Sequence, residues 1–371
     1  MNVQCAASSV SVQACACLTS FGDEKASLAA LLRGEKALKL TPVRGVEGGD
    51  FVPLALLPGR ALDETLEPQW FSPVAQMLQP VQDRRWGTPE YPIFITSSNF
   101  GASGLYAFRR SANTAFLAYG STKACVNWLR LRLGWGENIT VLSHACVSAH
   151  VGLLQASRAL NAGFAKQALV FSFDFLSPFV AGGFHALKIL NNDFPAPYQA
   201  RETGSIALGD GAAYAVLTKE PADFRIEIQA LYNEMFHFTA NQPDGLGFRS
   251  LLTPVAQCCA GRRLWIKGHG TGTLDAGRLE AGTLASIFPG SPLVGWKGSL
   301  GHTLGSCGLV ELSIAMESIR SGFSPGTVGT SGPTFSPEVA TAPFDNRGFD
   351  GLLCLSNAFG GAHAAFLLCH A

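Results

Sequence analysis

Short apolar runs alternate with amphipathic stretches along this chain, and that alternation predicts a layered α/β protein. Residues 12–17, 91–96, 139–142 and 168–173 have the length and apolar content of buried strands. Between them, 27–38, 112–133 and 146–163 carry the spacing of helices. The runs 212–217 and 224–231 read as two strands paired near mid-chain. The second half repeats this alternation, with strands at 264–267, 293–294, 351–355 and 364–368 and helices at 276–288 and 304–320. A strand, a glycine turn and a helix of small residues occur around Cys146 and again around His302, which points to two related halves packed face to face.

Composition narrows the picture. Apolar residues make up 47% of the 371 positions and charged residues 15%, enough for a large buried core. Lys plus Arg (27) balance Asp plus Glu (27), so no net field draws nucleic acid or an anionic membrane. No apolar stretch has the length needed to cross a bilayer, and Met1-Asn2-Val3-Gln4 opens without the pattern of a leader. The ten cysteines are scattered. Cys15-Ala16-Cys17 and Cys258-Cys259 lack partners at metal-binding distances, so no metal or other cofactor is expected. These features predict a reduced, cytoplasmic protein whose cysteines are mostly core residues.

One cysteine stands apart. Ser143-His144-Ala145-Cys146-Val147-Ser148 follows a predicted strand and opens a predicted helix, where unpaired N–H groups and the helix dipole favour a thiolate. A lone cysteine in such a stretch is ordinarily a packing residue. Two glycine-rich histidine segments change that weighting. Lys267-Gly-His269-Gly-Thr271-Gly-Thr273 brings backbone close to a ligand and lacks the ending of a phosphate-binding loop. Lys297-Gly-Ser-Leu-Gly-His302 sets a second histidine on a glycine turn, five residues after a lysine. Cysteine and two histidines so placed make a nucleophilic constellation.

These residues resemble those of the β-ketoacyl synthases, the condensing enzymes of fatty-acid and polyketide synthesis. Ala145-Cys146 matches the family's nucleophile elbow, and His269 to Thr273 its His-Gly-Thr-Gly-Thr segment, with the following glutamate at Glu280. Lys297 to His302 matches its Lys-x-x-x-Gly-His, with the trailing glutamate at Glu311. Asn357-Ala358-Phe359-Gly360-Gly361 resembles its terminal loop, and residues 206–212 and 238–245 give weaker matches. The resemblance implies a thiolase fold, a duplicated α-β-α-β-α sandwich. An N-terminal half, 1–220, would carry the nucleophile and a C-terminal half, 221–371, both histidines.

It also implies roles. Cys146 would take an acyl group from a phosphopantetheine thioester of an acyl carrier protein. His269 and His302 would stabilise the enolate formed when a malonyl carrier protein loses its carboxylate. Lys297 with Glu311 would set the electrostatics, and Thr271 and Thr273 would hold the pantetheine arm. Phe359 would gate the site, its N–H forming an oxyanion hole with that of Cys146. The product would be a chain two carbons longer, made by a homodimer or by a heterodimer with a second ketosynthase-like subunit.

Departures from the pattern keep a second reading open. His144 stands where the family has threonine, Val147 where a small polar residue is usual and Gly277 where aspartate is usual, and the terminal loop is two residues shorter. A non-elongating partner of the chain-length-factor type, aryl polyene systems included, accommodates these changes but usually lacks the cysteine. A degradative thiolase would use a second cysteine as base; Cys354 is the candidate, but thiolases lack the Lys-x-x-x-Gly-His motif. Arg109, Arg110, Lys123, Arg130 and Arg132 form either a carrier-protein patch or an ordinary solvated face.

Overall fold

The computed structural model describes residues 9–43, 50–62 and 65–370. The opening Met1–Gln4 and Cys5 lie outside them. Ten strands form one mixed sheet whose order repeats itself about its centre. In one half, Ile139–Leu142, Ile93–Thr96 and Gln167–Asp174 run parallel, and Gly211–Thr218 and Val10–Thr19 follow antiparallel. In the other, Leu293–Val294, Leu264–Lys267 and Gly351–Ala358 run parallel, and Ala362–His370 and Phe224–Asn233 follow antiparallel. The halves join where Val10, Ser11 and Val12 pair with Ile226, Arg225 and Phe224.

That seam corrects one expectation. Gly211–Thr218 and Phe224–Asn233 are both strands, but they do not pair with each other; Val10–Thr19 lies between them. Alternation marks a strand without choosing its neighbour, and the N-terminal strand, apolar at Val10, Val12 and Cys17, took the central place.

Two helices, Ser148–Asn161 and Cys307–Ser321, pack together and against strands of both halves. Residues 307–316 of Cys307–Ser321 are all buried, and the largest core cluster draws on both helices and both half-sheets. The outer faces are covered by Phe71–Met77 and Thr122–Leu133 on one half and by Leu246–Cys258 and Leu274–Ile287 on the other. This is the duplicated α-β-α-β-α sandwich. The parallel strands of each half lead into the turns that carry the chemistry, as expected at the C-terminal ends of parallel strands.

Helix boundaries moved where capping decided them. The predicted helix 112–133 is a short 3₁₀ turn, Thr114–Ala118, followed by Thr122–Leu133, because Ser121 accepts the Ala124 N–H and starts a new helix. The predicted 27–38 is Glu24–Leu32, started by Asp23 accepting from Ala26.

Candidate active site

Cys146 stands on a strained elbow. Ala145 has φ of +45°, a left-handed conformation costly for a residue with a Cβ. Ser148 locks the turn, its Oγ accepting the His144 N–H (2.8 Å) and donating to the Ala145 carbonyl (2.7 Å). Helical residues begin at Ser148, so Cys146 precedes the first turn rather than occupying it. Cys307 Sγ, at the start of the partner helix, donates to the Cys146 carbonyl (3.3 Å).

The expected thiolate does not follow from this placement. Burial pushes the Cys146 thiol well above its ordinary range and the nearby Cys307 adds to it, while Lys297 pulls the other way. Desolvation outweighs the helix dipole, because the dipole acts mainly within the first turn.

His302 is held by backbone on both sides. Its N–H donates to Ala207 O (2.7 Å) and its carbonyl accepts from Gly209 N–H (3.0 Å). Gly301, at φ +70°, lies so close to Leu208 that a Cβ would sit 2.6 Å from its carbonyl carbon. A side chain there would push the histidine off its support. The Leu304 N–H donates to His302 Nδ1 (3.2 Å), which leaves the ring proton on Nε2. That Nε2 has no hydrogen-bond partner among the described residues.

His269 is placed by a carboxylate. Glu280, from the following helix, accepts the N–H of His269 (2.6 Å) and of Gly270 (3.0 Å), and the Tyr198 hydroxyl donates to the same carboxylate (2.9 Å). The two imidazoles meet edge to face, centroids 5.0 Å apart. Burial, then Lys297, holds both well below the ordinary histidine range. Both rings are therefore neutral around pH 7.

Cys146, His269 and His302 converge on one cavity of about 590 Å³. Thr271, Thr273, Asn357 and Phe359 line it too, so these site residues named from the sequence come together. Thr271 and Thr273 hydrogen-bond each other through their hydroxyls (3.1 Å). Phe359 is 36% exposed and stacks on Phe184 at 6.0 Å. Phe184, Ile206, Phe236 and Leu279 add apolar wall, and Lys188, Asp275 and Arg278 add charge. Lys297 and Glu311 do not line the cavity; they pair behind the histidines at 2.7 Å, both buried. Cys354 is buried in a strand. Arg109, Arg110, Lys123 and Arg132 are exposed, on two outer helices.

Two contributors carried no motif. Tyr198 is a buried residue at φ +61° in an irregular segment, and only its contact with Glu280 gives it meaning. Asp174 ends a strand and accepts from Ser97, Ser98, Asn99 and the Gly305 N–H, tying the turn after His302 to the neighbouring strand end. A buried acid at the end of an apolar run was the available signal. Among the described residues no group of three His, Cys, Asp or Glu side chains is arranged to hold a metal ion.

Comparison with known proteins finds β-ketoacyl synthases. The family described as "Beta-ketoacyl synthase, C-terminal domain" matches residues 257–331, the stretch that contains both histidines. The ketoacyl synthase alpha subunit of the tetracenomycin polyketide synthase of Streptomyces glaucescens is 28% identical over 62% of this chain and 59% of its own length. Over these stretches the chain is similar to β-ketoacyl synthases, at a divergent level of identity. The chloroplastic 3-oxoacyl-[acyl-carrier-protein] synthase II of Arabidopsis thaliana is 26% identical over 70% of this chain and 52% of the relative. The matches thus span between half and two thirds of these relatives' length. Among solved structures, the ketosynthase in complex with its chain length factor from Xenorhabdus doucetiae superposes with a TM-score of 0.82 at 19% identity, covering 98% of each chain. A β-ketoacyl synthase from Burkholderia phymatum gives 0.80 at 20%, covering 98% of this chain and 99% of its own. At these identities the superpositions speak for the thiolase fold.

Proposed function

We propose that the chain catalyses a decarboxylative Claisen condensation, as a β-ketoacyl-acyl carrier protein synthase. The observation that carries this reading is the convergence of the Cys146 thiol and two neutral imidazoles on one cavity, with the His302 ring proton on Nε2. Cys146 sulfur attacks an acyl thioester; a new C–S bond forms and the carrier thiol leaves, taking up the proton that Cys146 gives up. Malonyl on a second carrier then loses CO₂, and the electron pair passes to an enolate whose oxygen accepts from His302 Nε2–H and His269. The enolate carbon attacks the acyl-Cys146 carbonyl, a C–C bond forms and the C–S bond breaks, and the departing Cys146 thiolate takes up a proton from solvent to regenerate the thiol. Thr271 and Thr273 hold the pantetheine arm, and the Phe359 and Cys146 N–H groups form the oxyanion hole. Neutral histidines suit donation, since an imidazolium would tend to surrender its proton to the enolate.

The partners in this reading are an acyl carrier protein and a second ketosynthase-like subunit, identical or different. The compartment is the cytoplasm, where thiols stay reduced. A non-elongating partner role is the second reading. It is favoured by the deeply buried, neutral Cys146 and by the short loop after Asn357. Mass spectrometry after incubation with acyl carrier protein thioesters separates the two. An acyl mass on Cys146 that disappears in Cys146→Ala, followed by elongation with malonyl carrier protein, supports the enzyme. No acyl-enzyme, together with binding to an active ketosynthase, supports the partner subunit.

A further inference from the structure

Behind the two histidines lies a charge cluster with one cation too many. Glu311, on the helix Cys307–Ser321, receives Lys297 Nζ on Oε1 at 2.7 Å and Lys267 Nζ on Oε2. All three side chains are buried: 0% of Lys267, 2% of Lys297 and 5% of Glu311 is exposed. Lys267 ends the strand Leu264–Lys267, two residues before His269, and Lys297 opens the turn that leads to His302. Burial and Lys297 lower the proton affinity of Lys267 while the Glu311 carboxylate raises it; with both lysines protonated, two ammonium groups on one carboxylate leave a positive charge unbalanced in a dry interior, where charge interactions reach far.

We propose that Lys267 is a positioning residue for the histidine pair: with Lys297 it places two buried cations on one carboxylate, and the excess positive charge adds to burial in keeping His269 and His302 neutral. The groups facing the cluster come from several elements. His150 faces it from the helix Ser148–Asn161, Cys307 from the helix that carries Glu311, and Cys354 from the adjacent strand. None of these supplies the missing negative charge while the thiols stay protonated, and burial keeps both thiols high. Glu280 is turned away, its carboxylate occupied by two backbone N–H groups and Tyr198. Lys267 and Lys297 both act on each histidine to depress its proton affinity, beyond what burial does.

This deepens the reading above, since the donor role of the imidazoles requires neutral rings. It also separates Lys267 from Lys297: with Lys267 removed, Glu311 and Lys297 remain as a balanced pair. Lys267→Met should therefore fold and unfold no less stably than the parent, although a fully buried charged side chain has been removed.

The test follows the histidines directly, with no carrier protein or acyl transfer, so its failure leaves the condensation reading to its own assay. The full chain is labelled at histidine Cε1, and the two resonances are assigned with His269→Gln and His302→Gln. Both are then titrated in the parent, in Lys267→Met and in Lys267→Gln. The expected result is that the midpoints of His269 and His302 rise by about one unit in the variants, a tenfold gain in proton affinity. Should acid unfolding come before titration, its midpoint decides: it moves to lower pH in Lys267→Met if the proposal holds. Unchanged histidine midpoints, an acid midpoint that stays or rises, or loss of the fold in both variants would overturn it.

Discussion

At the scale of single residues, burial is the dominant force on the chemistry. Cys146 lies at 8% exposure and its thiol is pushed up, so at neutral pH it is a thiol and not a thiolate. Its reaction with iodoacetamide should be slower than that of a free cysteine at pH 7.5 and should keep rising beyond pH 9. A plateau near neutrality, read by peptide mapping with Cys146→Ala as the blank, would contradict this. His150 gives a second prediction. It is packed on Phe366, neither ring nitrogen has a hydrogen-bond partner among the described residues, and burial followed by Lys267 and Lys297 lowers it to about 3. The unfolded chain binds that proton below about pH 6.5 and the native state does not until about pH 3, so stability falls as pH falls through this window. Each such histidine contributes up to about 1.4 kcal/mol per pH unit. His150→Leu should flatten the acid limb of stability by that amount, measured by urea unfolding between pH 4.5 and 6.5. Among the described residues the ring makes no hydrogen bond, so an apolar replacement strands no partner there.

At the scale of elements, the turns after strands hold the site. The loop of His269 hangs on Glu280, which accepts from two backbone N–H groups and from Tyr198. Glu280→Ala should cost roughly 3–5 kcal/mol, because three buried donors lose their acceptor at once, whereas Tyr198→Phe should cost about 1 kcal/mol. Comparable losses in the two variants, by thermal or denaturant unfolding, would remove Glu280 from this role. The central helices approach closely for a visible reason: a Cβ on Gly308 would stand 2.3 Å from His150 Nδ1. That contact sets Cys307 beside Cys146. Strands were legible in the sequence as apolar runs, since both faces of most of them are covered. Helix starts were less so, because Asp23 and Ser121 act through single hydrogen bonds that periodicity does not register.

At the scale of the molecule, we propose that the halves meet near residue 220, between Gly211–Thr218 and Phe224–Asn233, with 1–220 carrying the nucleophile and 221–371 the histidines. They are not independent in energy. The helix Cys307–Ser321 of the second half packs on Val10–Thr19 and Gly211–Thr218 of the first, and the main core cluster spans both. The chain should therefore unfold in one cooperative transition, with amides of Gln167–Asp174 and Gly351–Ala358 exchanging at a common global free energy. Two separated transitions, seen by calorimetry or native-state hydrogen exchange, would show that the halves hold together less than this packing implies.

The sequence alone determined the α/β class, pointed to two related halves and singled out Cys146, His269, His302 and Lys297 as a candidate set. These rest on local patterns: apolar runs of strand length, glycines beside a histidine, and spacings within one turn. Only the tertiary structure decided that the strand at Val10–Thr19 separates the two mid-chain strands, that Tyr198 and Asp174 serve the site, and that Lys267 shares Glu311 with Lys297. It also reversed the expected charge of Cys146. The reason is common to all of these. Pairing partners, buried hydrogen bonds and desolvation depend on residues far apart in the chain, and no local window contains them.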